Sequence, residues 1–425
     1  MRSLTCALAL RAGLVVSVVW ASLPGDAAAD ELVPSLNVQT GVTVTRSPGN
    51  DTNDYFVAAS PAVSYFLGTE RLQLGLTYSF TGSINTVLPN AIANRVGITA
   101  AADLSPTTRL LFGVEGLVAT IGNYVLIRRS ASTQIGGIPA LNTTLLTLQM
   151  SQAVQHEISP VVRFTQSVQG TYVTTLDVEP RFSNYLAGTT LGIERGWEFD
   201  AVGAEFTAQW ARTVLPPVAT RVITLALGPT WDHDFSRTLT GSGSLGGAVA
   251  LSPDPNTKPR LAPAGRASIL YYSDASGIQL GYAFGFEPNL LLGTLLQSHQ
   301  VTLQGYTPIS EENRVLLGVS AGYLRAKTLD LRPNGQNANE FEAVLHDAEI
   351  SWGAASFLSL YLRYQFIGQT QGAGLGATPP LVRHGVIFGF DLFGGGRPDT
   401  KKPRVQTKFP QRVDGKDSPI PEKRR

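Results

Sequence analysis

The sequence is short of cysteine, charge and long apolar runs, and each shortage removes a class of protein. Its one cysteine is Cys6. That residue lies in an N-terminal stretch that reads as a targeting segment, so the remainder has no disulfide framework, thiolate metal site or thiol redox chemistry. Charged residues make up 15% of the chain, against roughly 25% in soluble globular proteins. The hydrophobic fraction of 43% is also slightly low against a usual value of roughly 45–50%. Beyond residue 30 no run approaches the roughly 18 apolar residues of a membrane-spanning helix. The formal net charge of +1 favours no partner of either sign. A chain poor in both charge and oil is rich in small and neutral polar residues, among them 43 glycines.

The N-terminal stretch explains itself. MRS is a short basic region, LTCALALRAGLVVSVVWASL is an apolar one interrupted by Arg11, and Ala27-Ala28-Ala29 supplies a small-residue cleavage pattern. Residues 1–29 therefore read as a signal peptide, and the chain reads as exported.

Past this segment the sequence has a period of two. RLQLGLTYSF (71–80) sets Leu72, Leu74, Leu76, Tyr78 and Phe80 against Gln73, Gly75, Thr77 and Ser79. Successive side chains of a strand point to opposite faces, so this is a β-strand. The same alternation returns in VGITAAADL, RLLFGVEGLV, IQLGYAFGFE and SFLSLYLRYQF. Weaker copies bring the number to about eighteen, the first starting near residue 36 and the last near 381, with no helical period between them. Tight connections such as LSPTT (104–108) and DHDFS (232–236) alternate with long ones such as 83–94, 123–141 and 326–339. Ser105-Pro106-x-x-Arg109 returns as Ser159-Pro160-x-x-Arg163, both at tight turns. The expected architecture is an up-and-down antiparallel meander with its long loops at one end.

Composition decides which face of that meander is dry. A soluble sandwich or propeller would carry charge on its second face, but here that face is mostly Gly, Ser, Thr, Gln and Ala. Aromatic residues gather near strand ends (Tyr78, Phe80, Trp210, Trp231, Tyr282, Trp352, Tyr364), as interfacial girdles do. The reading is all-β: a transmembrane barrel of about 18 strands over 30–393, apolar outside and polar inside. A closed sheet is what satisfies every backbone group in hydrocarbon.

Residues 394–425 are different material. Ten Lys/Arg stand against four Asp/Glu, a net of +6, among prolines and glycines, and such a segment does not bury enough surface to fold alone. The tail is expected to be disordered and, from the side on which the last strand ends, periplasmic. The barrel region, with 33 − 10 − 2 = 21 basic and 32 − 4 − 1 = 27 acidic residues, carries −6.

No enzyme or cofactor site emerges, and none is expected for a metal. Gly318-Val319-Ser320-Ala321-Gly322 matches a nucleophile-elbow pattern but lies inside an alternating strand, not at a strand-to-helix turn. Asp232-His233-Asp234 lies in an expected turn with no second histidine near it in sequence. Ser298-His299 and His346-Asp347 are neighbours in strands and so face opposite sides. GSGSLGG (241–247) is followed by neither Lys-Ser/Thr nor a helix, so it is no phosphate loop. The inward row is then the candidate. Alternation turns Glu115, Arg163, Glu194, Glu205, Arg266, Glu287, Asp347, Glu349 and Arg363 to the inside, as a candidate pore lining. Gln149, Ser151, Gln169, Thr207, Gln209, Gln300, Thr302 and Gln304 form an uncharged background suited to sliding saccharides. Six acids against three bases in that row suggest weak cation preference.

On this pattern the chain resembles bacterial outer-membrane β-barrel proteins of porin type, over roughly residues 36–393. One departure concerns the last strand, RHGVIFGFDLF, which ends at Phe393 with Asp391 in phase with it. Such barrels usually end on a lipid-facing Phe with no tail behind it. The resemblance implies an outer-membrane channel for hydrophilic solutes. In size, strand number and periplasmic tail the chain is also similar to barrel porins that pass exopolysaccharide alongside periplasmic polysaccharide-export proteins. That likeness implies a periplasmic export protein contacting the basic tail, and saccharide in the lumen. No plug domain precedes the first strand, unlike TonB-dependent receptors, and nucleic acid is not an expected partner. The alternative is a structural or adhesive barrel whose loops, notably 121–142, bind an external partner.

Overall fold

The computed structural model describes residues 30–48, 51–69, 71–120, 144–176, 181, 183–215, 218–253, 257–273, 275–289, 294–310, 314–329, 340–370 and 380–394. The expected signal peptide, loop 121–142 and, beyond Gly394, the basic tail lie outside the described residues. The strands are β1 (Asp30–Arg46), β2 (Thr52–Gly68), β3 (Leu72–Asn85), β4 (Ala91–Ser105), β5 (Thr108–Thr120), β6 (Thr144–Ser159), β7 (Val162–Thr175), β8 (Ser183–Gly196) and β9 (Asp200–Leu215). They continue with β10 (Val218–Asp234), β11 (Leu239–Leu251), β12 (Arg260–Tyr272), β13 (Gly277–Asn289), β14 (Thr294–Pro308), β15 (Val315–Leu329), β16 (Glu340–Ala355), β17 (Leu358–Gln369) and β18 (Leu381–Phe393). Each pairs antiparallel with its neighbours in sequence, and β1 also pairs with β18 from Ser35↔Phe393 to Arg46↔Val382. The sheet is thus a closed 18-stranded barrel.

Exposure is inverted relative to a soluble sheet, and this settles the face question. Along β17, Leu362 is 52% exposed while its neighbours Arg363 and Gln365 are 8% and 3% exposed. On β18 the outward Val386 and Phe388 are exposed while Arg383 and Ile387 are buried. The apolar row faces out along most of the wall and the small and polar row faces in, with Phe56, Leu296, Leu324 and Ile387 as buried inward exceptions. Exposed aromatic rings gather toward the tight-turn end (Trp197, Phe199, Phe235, Trp352, Phe357), with further ones higher on the wall (Tyr55, Tyr185, Trp210, Tyr282, Tyr364). At the lower rim the Arg195 guanidinium lies over the Trp197 ring, 5.4 Å from its centroid. An amphipathic pair of this kind suits a boundary between oil and water.

Turn chemistry sets the register. In the two Ser-Pro turns, Ser105 Oγ accepts from Thr107 N (3.2 Å) and Ser159 Oγ accepts from Val162 N (3.1 Å). Local hydroxyl-to-backbone bonds of this type stabilise tight turns. Both turns carry a register shift, after which Asp103 stands opposite Arg109 and Glu157 opposite Arg163. The repeat seen in sequence is therefore longer than the Ser-Pro pair: it is a hairpin with an acid and an arginine at matched positions. The expected alternation of tight and long connections has exceptions: at the long-loop end β9 and β10 are joined through Pro216-Pro217 alone and β13 and β14 through 290–293, while at the tight-turn end 309–314 joins β14 to β15. β1 also begins earlier than expected, at Asp30.

The seam is locked from inside. Asn37 Nδ2 donates to Asp391 Oδ1 (2.8 Å) and to Tyr361 Oη (3.0 Å), and Tyr361 donates to Gln39 Oε1 (3.1 Å). Tyr361 lies across Gly389, where a Cβ would collide with its hydroxyl. Phe56 and Ala58 of β2, Tyr361 of β17 and Ile387 of β18 complete a buried cluster at the seam. An open edge in hydrocarbon would leave a row of unpaired N–H and C=O groups at several kcal/mol each. Asp391, out of pattern for a terminal strand, is an inward seam residue.

Candidate permeation pathway

The inward wall differs along its length. Toward the tight-turn end and middle it carries Gln, Ser, Thr and most of the charges, with Asp54, Glu287 and Arg383 nearer the long-loop end. Just inside the long-loop end it is lined by buried alanines: Ala91, Ala93, Ala119, Ala248, Ala250, Ala262, Ala326 and Ala343. Next to the last two, Leu296 and Leu324 complete a buried apolar cluster, with Leu345 packed against it.

All nine charged residues expected to face inward occupy inward positions of the register, as do the eight uncharged ones. Most of the charges are paired, which alternation alone does not reveal. Arg163 stands opposite Glu194, with Nη1 3.4 Å from Oε1. Glu115 Oε2 accepts from Arg95 Nη2 at 2.6 Å. Arg363 Nε and Gln365 Nε2 both donate to Asp347 Oδ2, at 2.7 and 2.8 Å. Arg363 also stands opposite Glu349.

Arg266 Nη2 donates to Glu205 Oε2 at 2.6 Å, although two strands separate β9 from β12. The wall between them is made of small residues: Gly228 faces Glu205, Gly246 faces Ala264, and Ser244 faces Arg266. Gly228 and Gly246 approach so closely that a Cβ on Gly246 would overlap the Leu227 carbonyl oxygen. Gly228 and Gly246 thus make a shallow place in the wall over which the ion pair reaches.

Glu287 differs from the rest. It stands opposite Leu296 beside the apolar cluster, and Ser298 Oγ donates to it at 3.3 Å. Among the described residues no cation meets it.

Sequence reasoning missed several inward polar groups. Arg95 supplies the partner of Glu115. Arg383 is buried, with Nε donating to Thr45 Oγ1 at 2.9 Å. Asp54 accepts from Val87 N at 2.8 Å and orders the β3–β4 connection. The signal was available: Arg383 shares its parity with Gly385, Gly389 and Asp391, the inward row of β18.

The motifs set aside on sequence grounds all sit on the wall. Ser320 is in the middle of β15, facing inward, opposite Asp347 and Gln304. All five histidines, His156, His233, His299, His346 and His384, occupy outward positions, so none shares a face with Ser320. Asp232-His233-Asp234 ends β10, not a turn as expected, and His233 Nδ1 lies 2.8 Å from Asp200 Oδ1. Among the described residues no group of three His, Cys, Asp or Glu side chains is placed to hold a metal.

No protein-family model and no curated protein matches the sequence. Among solved structures the chain is similar to Pseudomonas aeruginosa OccK2 (OpdF) in complex with glucuronate, at 11% identity and a TM-score of 0.45, over 85% of this chain and 98% of that one. It is similar also to Acinetobacter baumannii OccAB3, at 10% identity and a TM-score of 0.41, over 86% and 99%. A third is the ferric-catecholate import receptor Fiu of E. coli K12, at 8% identity and a TM-score of 0.42, over 84% and 81%. The chain itself is a closed 18-stranded antiparallel barrel with an apolar exterior and a largely polar interior.

Proposed function

We propose that this protein is an outer-membrane channel for hydrophilic solutes. The observation that carries the reading is the inward wall: uncharged Gln, Ser and Thr interrupted by arginine–carboxylate pairs that cancel locally, inside a sheet with oil on its other face. A barrel of this strand number encloses an aqueous lumen unless loops fill it. A wall that offers hydrogen bonds without net charge holds no ion strongly and lets hydroxyl-rich solutes exchange one contact for the next. The finer reading is passage of a saccharide polymer, with a periplasmic export protein meeting the basic tail; the uncharged row supports the first part and the tail's net charge of +6 supports the second.

Carbonate-resistant fractionation with the outer membrane and heat-modifiable gel migration test the location. Planar-bilayer recording and liposome swelling in neutral sugars test the channel. Discrete conductance steps and sugar-dependent swelling are expected. A folded, membrane-inserted protein that never conducts, alone or with a partner, returns the reading to a structural or adhesive barrel. Truncation after Gly396 that loses a co-purifying partner supports the export reading.

A further inference from the structure

Most of the charged side chains on the inward wall have a counter-charge. Among the described residues, two arginines on the outer surface have none. Arg212 of β9 and Arg221 of β10 stand directly opposite one another. Both belong to the outward parity of their strands, with Trp210 and Ile223. Arg212 lies three residues before the end of β9, and Arg221 three residues after the start of β10. They therefore flank the two-proline connection at the long-loop end.

Directly opposite positions in an antiparallel pair bring Cβ atoms within roughly 5 Å, and like charges there repel. Among the described residues no acid pairs with either arginine. The outward neighbours are Val214, Ala219, Tyr185 and Ile223. The Nε of Arg212 is moreover buried without a hydrogen-bond partner. A guanidinium N–H removed from water and left unpaired is costly, and it stands beside a second full positive charge.

The surroundings fix the depth. Tyr185 is opposite Arg212, and Tyr172 is opposite Tyr185 with ring centroids 4.8 Å apart. Arg181, in the β7–β8 connection, is within electrostatic reach of Tyr172. Tyrosines at this height belong to the interfacial belt of a barrel, where lipid headgroups begin. On the membrane reading of the proposed function, this patch abuts the outer leaflet. It faces neither the lumen nor the loops.

We propose that Arg212 and Arg221 form an exterior site for a phosphate group, supplied by a phosphorylated glycolipid of the outer leaflet. Two planar guanidinium forks match a dianionic phosphate monoester better than a single carboxylate, because phosphate carries up to two negative charges and three acceptor oxygens. The phosphate would sit between the two arginines, convert their repulsion into shared attraction, and accept from the buried Arg212 Nε. The tyrosine rings would cover the sugar or upper acyl portion of the same lipid.

The experiment uses the full chain isolated from membranes in mild detergent. Native mass spectrometry counts phosphorylated glycolipid bound to the folded protein, alongside R212Q/R221Q and, as a control at the opposite rim, R195Q. The expected result is one retained glycolipid for the parent and for R195Q. The double variant should lose it, with affinity for added phosphorylated glycolipid weakened about tenfold or more. Inorganic phosphate is run as a competitor: displacement of the lipid at millimolar phosphate, with no preference for the lipid, would overturn the lipid assignment in favour of a free-anion site. Heat-modifiable migration reports folding, and a single R212K variant, which keeps the charge, serves if the double variant misfolds; it should weaken binding by loss of the fork. An inserted, folded double variant that retains the glycolipid overturns the site. A parent chain absent from the outer membrane overturns the membrane reading with it.

Discussion

Glu205 and Arg266 meet at 2.6 Å although they belong to β9 and β12. Three strand intervals at about 4.8 Å each make roughly 14 Å of wall, more than either side chain spans alone. Gly228 and Gly246 leave that interval bare, so both side chains lie along it and meet.

Filling the interval should therefore break more than a contact. Gly246→Val places a side chain against the Leu227 carbonyl and across the path of Arg266. Overpacking of this kind costs typically about 1–3 kcal/mol. The temperature at which the heat-modifiable band converts should fall, while Gly247→Ala, whose Cβ meets nothing within 4 Å, should leave it in place.

Ion selectivity should follow pairing and not the count of acids. Glu205→Gln leaves Arg266 uncompensated and should shift the reversal potential in a salt gradient toward anions. Glu205→Gln with Arg266→Gln should restore the parent value. Glu287→Gln removes an acid that meets no described cation, so it should lower cation preference by itself. Equal shifts from the Glu287 variant and the Glu205–Arg266 double variant would contradict this assignment.

The seam predicts a stability effect. Tyr361→Phe deletes the hydroxyl that accepts from Asn37 and donates to Gln39, leaving two buried amides short of a partner. A loss of about 1–3 kcal/mol is expected, read as a lower urea midpoint for the folded barrel. Tyr361→Ala should cost more, because it also uncovers Gly389.

Face polarity is tested by nearby residues on opposite faces. Leu362→Arg puts a charge on the apolar exterior and should cost about 2–4 kcal/mol near the bilayer midplane. Gln365→Arg, on the opposite face of the same strand, should fold and insert while altering conductance. Equal tolerance of both would mean that the exterior is wet.

Much of the wall was legible because a single period of two determines strand, face and closure together. Leu72, Leu76 and Phe388 needed no tertiary information to be placed outward. The early start of β1 was hidden because DELVPS, with Pro34 in it, does not alternate. Pairing was illegible for a different reason. Glu205 and Arg266 lie 61 positions apart across two intervening strands, and Asn37 and Asp391 are 354 apart. Alternation says which way a side chain points but not which charge it meets, so a row of six acids and three bases reads as acidic when most of it is neutral.

The first and last strands have a consequence beyond the seam. Twelve register pairs join β1 to β18, and the backbone N–H of Gly394 is tied to the carbonyl of Pro34. The wall is therefore a ring whose strand pairing runs unbroken through the place where the chain is cut. Joining the two ends of the barrel by a short linker and opening the chain at 106–107 instead should give a circular permutant with every strand neighbour preserved. Order of synthesis and order of assembly are separable in this molecule: any tight turn on that rim is an equivalent place to begin.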